Sequence, residues 1–397
     1  MFMTGLELLF WSIIALLFYT YLGYGLFLWG LVQLKRIKNK YQSDHLLNDS
    51  IYKLPSLTLI IPAYNELECL GEKVANSLSL DYPKHQLKLI FVTDGSTDGS
   101  EEYLAQFQAI QVYHQAKRAG KIAAINRVMN FVETEIVVFS DANALLNREA
   151  LLHLVKHFEN PLVGCVAGEK RIAVGKYAKA ATAGEGLYWR YESQLKKWSY
   201  ELNSTIGAAG ELWALRTNLF EIPPRDTILD DFIMSLSVVS KGYKIAYTKE
   251  AYAMEKGSLS LREEMKRKVR ICGGGIQAML RTQHLLNPLR HPLFAFQYFS
   301  HRCLRWSIAP LGLLLLIPIH AFLVYQIGSW YTLLGIFHLC FYTLALLGWM
   351  NQTKKLRSKL LYVPLYFVMM NVSALLGIHK FLLGRQSVLW EKSMRLK

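Results

Sequence analysis

Three long stretches of this chain contain no charged side chain, and they constrain its fold more than any other feature. They cover residues 8–34, 306–353 and 360–379. An α-helix needs about 20 apolar residues to cross a membrane, so the first stretch predicts one crossing and the second predicts two. The third is long enough for a fourth crossing, but Pro364, Asn371 and Gly377 interrupt it, which favours a bent or re-entrant helix.

The charges around the first stretch predict the orientation of the chain. Glu7 precedes it, and four basic residues follow it: Lys35, Arg36, Lys38 and Lys40. By the positive-inside rule, we expect the N-terminus outside the cell and the next domain in the cytoplasm. The apolar run exceeds the roughly 7 to 15 residues of a signal-peptide core, which favours an anchor. The sequence therefore predicts a multi-pass protein of the cell inner (plasma) membrane.

The chain is basic as a whole, with 45 Lys and Arg residues against 30 Asp and Glu. Many of the basic residues lie beside the apolar stretches, within 262–305 and 354–359, where anionic membrane lipid attracts them. This placement predicts membrane lipid as a partner, and no nucleic acid. Arg302, Arg305 and Trp306 are typical of an anchor at headgroup depth.

The roughly 270 residues between the first and second apolar stretches are enough for one large domain. Their apolar pattern alternates between strands and helices. Strands are predicted at Leu57–Ile61, Leu87–Val92, Ala109–Tyr113 and Glu135–Ser140, and helices at Leu67–Leu78, Glu101–Phe107 and Lys121–Phe131. This alternation predicts an α/β domain whose mostly parallel sheet has helices on both faces.

Polar clusters follow three of these strands, at the edge where such sheets bind ligands. They are P-A-Y-N-E at 62–66, T-D-G-S-T-D at 93–98 and S-D-A-N at 140–143. The second and third clusters are also typical of a turn or a helix cap. In a binding role, Asp94 can accept a hydrogen bond from a nucleobase N–H. Asp141 and Asn143 share one face of an extended segment and can together hold a divalent cation.

R-A-G-K-x-x-A-I-N lies between the second and third clusters, and G-A-A-G and L-D-D follow the third. The whole series resembles glycosyltransferase family 2 over about residues 55–300. The flanking apolar stretches resemble those of membrane synthases of hyaluronan, poly-N-acetylglucosamine and related polysaccharides. The resemblance implies a Rossmann-like GT-A fold and a UDP-sugar donor. It also implies the donor-site residues, which are Ala63, Tyr64, Glu66 and Asp94 around the uridine, and Lys121 at the phosphates or the sugar.

The same resemblance implies the catalytic and metal-binding residues. Asp231, beside Asp230, matches the catalytic aspartate that takes a proton from the acceptor hydroxyl. Asp141 begins a D-x-D motif that holds Mg²⁺ or Mn²⁺, although the third position is Asn143, whose neutral carbonyl binds the ion less strongly. Gly207 and Gly210 would lie near the acceptor.

Processive members of the family carry a Q-x-x-R-W motif after the segment that corresponds to L-D-D. Here Arg270 keeps the cation that can hold the leaving diphosphate, but Ile271 replaces the stacking Trp, so processivity stays open. Trp390 would lie in a gating segment near the acceptor, which requires the helix over 360–383 to return to the cytoplasmic side.

The predicted organisation has six segments. They are an anchor at 1–34, a basic linker at 35–54, a cytoplasmic GT-A catalytic domain at 55–260, basic membrane-interface helices at 261–304, a C-terminal transmembrane region at 305–384 and a tail at 385–397. The leading hypothesis is an inverting transferase that extends a surface glycan or exopolysaccharide. The alternatives are single addition to a polyprenyl-linked acceptor and a catalytically silent scaffold or nucleotide sensor. Whether export or synthase subunits are partners of this chain stays open.

Overall fold

The computed structural model describes residues 2–40, 53–173, 180–258, 260–351 and 359–386. Most of the predicted linker lies outside these ranges, and so do Trp390 and nearly all of the predicted tail.

In the described part of the chain, eight strands form one sheet. They are β1 Leu57–Ala63, β2 Leu87–Asp94, β3 Gln111–Gln115, β4 Ile136–Phe139, β5 Leu145–Leu146, β6 Val163–Ala173, β7 Trp213–Arg216 and β8 Lys244–Lys256. Their order across the sheet is β3-β2-β1-β4-β7-β6-β8-β5. The first four strands pair in parallel, with Leu57 of β1 opposite Leu87 and Ile136. The other half is mixed, because β7 runs antiparallel to β4 and β6.

Helices cover both faces of the sheet and continue into the apolar region. The helices are α1 Phe2–Phe18, α2 Tyr24–Lys40, α3 Leu67–Leu78, α4 Ser100–Leu104, α5 Lys121–Met129, α6 Ala150–Val155, α7 Ala180–Leu202, α8 Asp230–Ser240, α9 Leu261–Arg281, α10 Pro292–Tyr298, α11 Ala309–Ile327, α12 Ser329–Met350 and α13 Lys359–Leu382. The π-helical segments Tyr19–Gly23 and Phe299–Ile308 join α1 to α2 and α10 to α11.

Alternate residues of the central strand enter different cores, as a sheet buried on both faces requires. Leu57, Leu59 and Ile61 of β1 pack with α3, α4 and α6, whereas Ile60 packs with α5 and α8. The predicted strands and helices of this half are therefore confirmed. Strand β3 begins two residues later than expected and α4 ends three residues earlier.

Four helices in the described ranges are long and apolar enough to cross a membrane. They cover Gly5–Lys38, Pro292–Ile327, Ser329–Met350 and Leu360–Leu382. The fourth is one continuous helix with Pro364 near its start, and it packs along α9. Tyr366 donates a hydrogen bond to Glu264 at 3.2 Å, and a Cβ on Gly377 would lie only 2.9 Å from the amide of Gly273. Both halves of α13 therefore contact a helix of the large domain.

The core on the α5 and α8 face extends without a break into the apolar helices. Trp306 of the π-helix packs against Phe232 of α8, with ring centroids 5.4 Å apart, and against Gly275 of α9. A Cβ on Gly275 would lie 2.3 Å from the Trp306 ring. The glycine therefore permits a close approach that no other residue allows.

We predict that Gly275→Leu lowers the free energy of unfolding by about 1–3 kcal/mol, the usual cost of overpacking a buried contact. Thermal unfolding of the full chain in maltoside micelles measures it. Gly30→Leu is the matched control, because a Cβ on Gly30 meets no atom within 4 Å among the described residues. Equal melting temperatures for the two variants would contradict the prediction.

Candidate active site

The loops that follow β1 and β2 are joined by hydrogen bonds into one rim. The Asn65 amide donates to Ser96 Oγ at 3.1 Å, and Asn65 Oδ1 accepts from the Thr97 amide at 2.8 Å. Asp98 Oδ2 accepts from the Leu67 amide at 3.0 Å. Asn65 adopts a left-handed φ of 51°, which Asn tolerates better than most residues. The P-A-Y-N-E and T-D-G-S-T-D motifs thus form a single structural unit.

Asp94 organises the loop before α5. Its Oδ2 accepts hydrogen bonds from the Ala119 and Gly120 amides at 2.9 and 2.6 Å, and its Oδ1 lies 3.5 Å from Arg127. The Arg118 guanidinium lies 3.7 Å from the centre of the Tyr64 ring. Ala63, Glu66 and Asp94 are buried. The structure thus brings the residues expected around a uridine to one edge of the sheet, where their role in donor binding stays a prediction.

A second cluster joins three carboxylates to one ammonium. Lys121 begins α5, Asp141 follows β4, and Asp230 and Asp231 begin α8. Lys121 Nζ lies 2.8 Å from Asp141 Oδ1 and 3.9 Å from Asp230 Oδ2. A Cβ on Gly210 would lie 3.1 Å from that ammonium and 3.3 Å from Asp231 Oδ2. The residues predicted for catalysis and for the donor phosphates therefore meet around a glycine.

Burial and mutual repulsion determine the protonation of this cluster. Burial and the neighbouring Asp230 raise the pKa of Asp231 to about 7. Burial also raises the pKa of Asp141, and Lys121 opposes that rise. For Lys121 itself, burial acts to lower the pKa, but the attraction of Asp141, Asp230 and Asp231 outweighs it and raises the pKa. The three carboxylates of this cluster thus outnumber its single ammonium, that of Lys121.

The donor atoms of the cluster suit a hard divalent cation only in part. Asp230 Oδ2 is a buried oxygen without a hydrogen-bond partner among the described residues. However, no three His, Cys, Asp or Glu side chains in the described ranges are placed to hold an ion by themselves. Asn143 lies half-buried two residues after Asp141 in the same loop. An ion here would need oxygen atoms from Asn143 or from a bound phosphate as well.

The cluster forms one end of a cavity of about 1260 Å³ between the sheet domain and the apolar helices. Arg270 also lines the cavity and donates a hydrogen bond to the Ile228 carbonyl at 3.0 Å. Gly207 is absent from the lining: it has a φ of +76°, and a Cβ there would clash with the Phe232 ring at 2.1 Å. Of the two glycines predicted near the acceptor, only Gly210 therefore faces the cavity.

The cavity is also lined by side chains of α7, the π-helix and α13, and by two residues that follow α13. The lining residues there are Tyr188, Trp189, Lys196, Arg302, Trp306, Met370, Leu376, Lys380, Arg385 and Gln386. The expectation of an anchor at headgroup depth is wrong for Arg302, Arg305 and Trp306, because these side chains face the protein interior. Both arginines pair with the buried Glu192 of α7.

Lys73 is a buried residue of the site that the motif analysis missed. It is fully buried in α3, and its ammonium donates to Ser140 Oγ at 2.8 Å and to the Ala144 carbonyl at 2.5 Å. Burial lowers the pKa of Lys73 to about 7. Lys73 therefore holds the loop that carries Asp141 in place through these hydrogen bonds. The sequence does contain a signal for the burial of Lys73, namely its helical spacing. Leu70, Lys73, Val74 and Ser77 share the buried face of α3.

Comparison with known proteins identifies the domain. Residues 58–221 match the family described as Glycosyl transferase family 2. A beta-monoglucosyldiacylglycerol synthase of Nostoc sp. is 30% identical over 165 residues, which cover 40% of this chain and 34% of that protein. A poly-beta-1,6-N-acetyl-D-glucosamine synthase of Staphylococcus aureus is 24% identical over 279 residues, which cover 67% and 66%. The chain thus spans about one third of the first of these relatives.

Among solved structures, a mannosyltransferase from Pyrobaculum calidifontis, in complex with GDP-Man and Mn²⁺, has the same fold. It aligns with a TM-score of 0.68 and 21% identity, over 95% of this chain and all of that one. The predicted GT-A fold is confirmed. This chain carries a glycosyl transferase family 2 domain, as the motifs indicated. The members of that family are enzymes.

We predict that Lys121→Met lowers the free energy of unfolding by on the order of 3 kcal/mol at pH 8, because it leaves buried carboxylates without a counterion. Without the ammonium, the pKa values of Asp141 and Asp231 rise further above their unfolded values. The variant should therefore lose stability as the pH rises and regain it towards pH 5. Thermal unfolding at both pH values measures this.

Lys266→Met is the control, because that lysine is exposed and pairs with Glu263 at 2.8 Å. An equal loss of stability by Lys121→Met at pH 5 and pH 8 would mean that the ammonium does not compensate ionised carboxylates.

Proposed function

We propose that this protein is an inverting, membrane-integrated glycosyltransferase that moves a sugar from a UDP-sugar to a hydroxyl of a glycan or glycolipid acceptor. The observation that carries the proposal is the meeting of Lys121, Asp141 and Asp231 around Gly210, at one end of a cavity that reaches the apolar helices. The names of the two relatives, a glucolipid synthase and a polysaccharide synthase, support a product of this kind.

In the proposed reaction, Asp231 is the base. Its carboxylate takes the proton of the acceptor hydroxyl while the hydroxyl oxygen forms a bond to the anomeric carbon of the donor. The bond from that carbon to the diphosphate oxygen breaks, and its electron pair leaves with the nucleoside diphosphate. A carboxyl group whose pKa is raised to about 7 suits proton transfer near neutral pH.

The remaining residues of the cluster would serve the donor. Asp141 and Asn143 would hold Mg²⁺ or Mn²⁺ together with the diphosphate, and the bound ion would offset the charge of the departing group. Lys121 would hold Asp141 in place and contribute positive charge. Arg270, at the cavity wall, has a buried Nε without a hydrogen-bond partner among the described residues and is suited to the leaving diphosphate.

We place the catalytic domain on the cytoplasmic side of the plasma membrane, in contact with membrane lipid. The basic residues after the first apolar stretch support this orientation. Lys380 and Arg385, at the end of α13, line the same cavity as Asp141. The end of α13 therefore lies on the side of the catalytic domain, as a gating role for the following segment requires.

A second candidate is a transferase that adds a single sugar. It is favoured by Ile271, which has no ring to stack on a growing glycan. Mass analysis of products made by the purified full chain, from a panel of UDP-sugars and GDP-mannose, tests both candidates. One added residue indicates single addition, and a ladder of products indicates polymerisation. The absence of sugar transfer from every donor would contradict the proposed function.

We predict that Asp231→Asn lowers the transfer rate by on the order of 10²-fold or more, the lower range of general-base contributions, while nucleotide binding persists. Initial rates and equilibrium binding of UDP measure the two properties. Asp81→Asn is the control, because Asp81 pairs with the exposed Arg148 outside this site. A wild-type rate for Asp231→Asn in a chemically limited assay would remove Asp231 from the role of base.

We predict that Asp141→Ala abolishes metal-dependent donor binding, whereas Asn143→Asp tightens it, because the second change adds a carboxylate ligand. Titration of donor binding with Mn²⁺ measures both effects. Weaker activation by Mn²⁺ in Asn143→Asp than in the wild type would sink the assignment of these two residues to the metal.

A further inference from the structure

Beside the carboxylate cluster, the same cavity borders a buried group of charges in which cations predominate. Glu192 of α7 lies 2.7 Å from Arg302 and 3.2 Å from both Arg305 and His301. Lys196 follows one turn later on α7 and is 4% exposed. Lys196, Arg302 and Arg305 therefore share one carboxylate, Glu192.

Lys196 makes no hydrogen bond or ion pair with any residue that the structure describes, although its side chain lines the cavity. Burial and the positive charge of Arg302 lower its pKa, against the attraction of Glu192. Arg302 lines the cavity as well, and its Nε is buried without a partner in the described ranges. Buried N–H donors without an acceptor, beside a single carboxylate shared by several cations, are costly, so Lys196 and Arg302 are suited to an anion that enters the cavity.

The surroundings of these donors indicate which anion. Trp306, Met370 and Leu376 line the same cavity, so an apolar chain can lie beside the cations. The residues expected to bind the donor belong to other elements, namely the loops after β1, β2 and β4, the start of α5 and α9. Lys196 and Arg302 instead belong to α7 and the π-helix. Asp231 lines the same cavity as Lys196 and Arg302, so one acceptor molecule can contact all three side chains.

We propose that Lys196 and Arg302 bind the phosphate of a lipid acceptor that also carries a free hydroxyl, with the hydroxyl directed at Asp231. The proposal rests on the proposed function and names the class of its acceptor. Charge-assisted hydrogen bonds from the ammonium and the guanidinium would hold the phosphate oxygens. Two lipids share this chemistry: a phospholipid with a hydroxyl headgroup and a sugar linked to a prenyl diphosphate.

A binding experiment tests the site without relying on activity. The full chain, purified in phosphate-free maltoside micelles, is titrated with farnesyl diphosphate, with farnesol as the uncharged comparison. We expect farnesyl diphosphate to bind, and Lys196→Gln to weaken its binding about tenfold or more, the value of a hydrogen bond between charged groups. Lys196→Arg should restore the affinity. Removing an uncompensated buried cation should not impair folding.

Lys197→Gln is the matched control, because it removes the same charge from the next position of α7, where the side chain is 38% exposed and lies 3.9 Å from Glu201. Its affinity should equal that of the wild type. The proposal is overturned if the wild type does not bind farnesyl diphosphate, if Lys196→Gln binds it as tightly, or if UDP or GDP displaces it. Displacement would mean that these cations hold the donor diphosphate instead.

Kinetics then distinguish the two lipid sources. Phosphatidylglycerol, a farnesyl-diphosphate-linked N-acetylglucosamine and diacylglycerol are offered as acceptors. For the phosphorylated acceptor that is used, Lys196→Gln should raise the acceptor KM about tenfold and leave the donor KM unchanged. Transfer to diacylglycerol alone, with equal KM in both proteins, would overturn the phosphate site and leave the proposed function standing. If no donor is used at all, the proposed function fails while the binding result still decides the site.

Discussion

Charge removed from water must be compensated by neighbouring charge, and the centre of this protein depends on that requirement. Lys121 of α5 lies 2.8 Å from Asp141 and 3.9 Å from Asp230, so one ammonium offsets the buried carboxylates of the loop after β4 and of the start of α8. The same principle operates behind the cluster, where Lys170 pairs with both Glu211 and Glu255. Buried ion pairs thus connect the end of the sheet to the strands and helices around the cavity.

This compensation also makes the site responsive to its ligands. In the proposed reaction, a diphosphate with its cation would change the balance of charge among the carboxylates, and an acceptor that contacts Lys196 would change the balance of charge around Glu192. Both groups line or border the same cavity. In a low-dielectric enclosure such interactions are stronger than in water. Donor and acceptor are therefore expected to influence each other's binding through charge as well as through contact.

The sequence predicted the parallel half of the sheet well, because each strand is a short apolar run followed by polar residues. Asp94 and Asp141 could be found for the same reason, since parallel strands place their carboxyl ends at one edge, whereas Asp231 was expected from the resemblance to glycosyltransferase family 2. The sequence did not predict that a carboxylate oxygen of Asp94 accepts hydrogen bonds from backbone amides of the same chain. Nor could it separate Gly207 from Gly210, because local sequence does not reveal which glycine faces the cavity.

Residues that come together only through tertiary packing were harder to predict from the sequence than those at the strand ends. Lys196 and Arg302 are more than a hundred positions apart in sequence, and only the packing of the π-helix on α7 brings both to one cavity. The basic residues of the π-helix have the composition of a membrane anchor, and composition does not state which way a helix faces. Lys73 was detectable in principle, because a lysine on the apolar face of α3 breaks the amphipathic pattern.

The contact between Trp306, Phe232 and Gly275 determines when the domain can be completed during synthesis. Phe232 is available as soon as α8 leaves the ribosome, but its partner Trp306 lies more than seventy residues later, where the second apolar stretch begins. Until that segment is made and inserted, one side of the sheet keeps an apolar surface open to water. Such transient surfaces promote aggregation. This face of the sheet is therefore complete only after the segment that carries Trp306, part of the second candidate membrane helix, has been made and has packed against it.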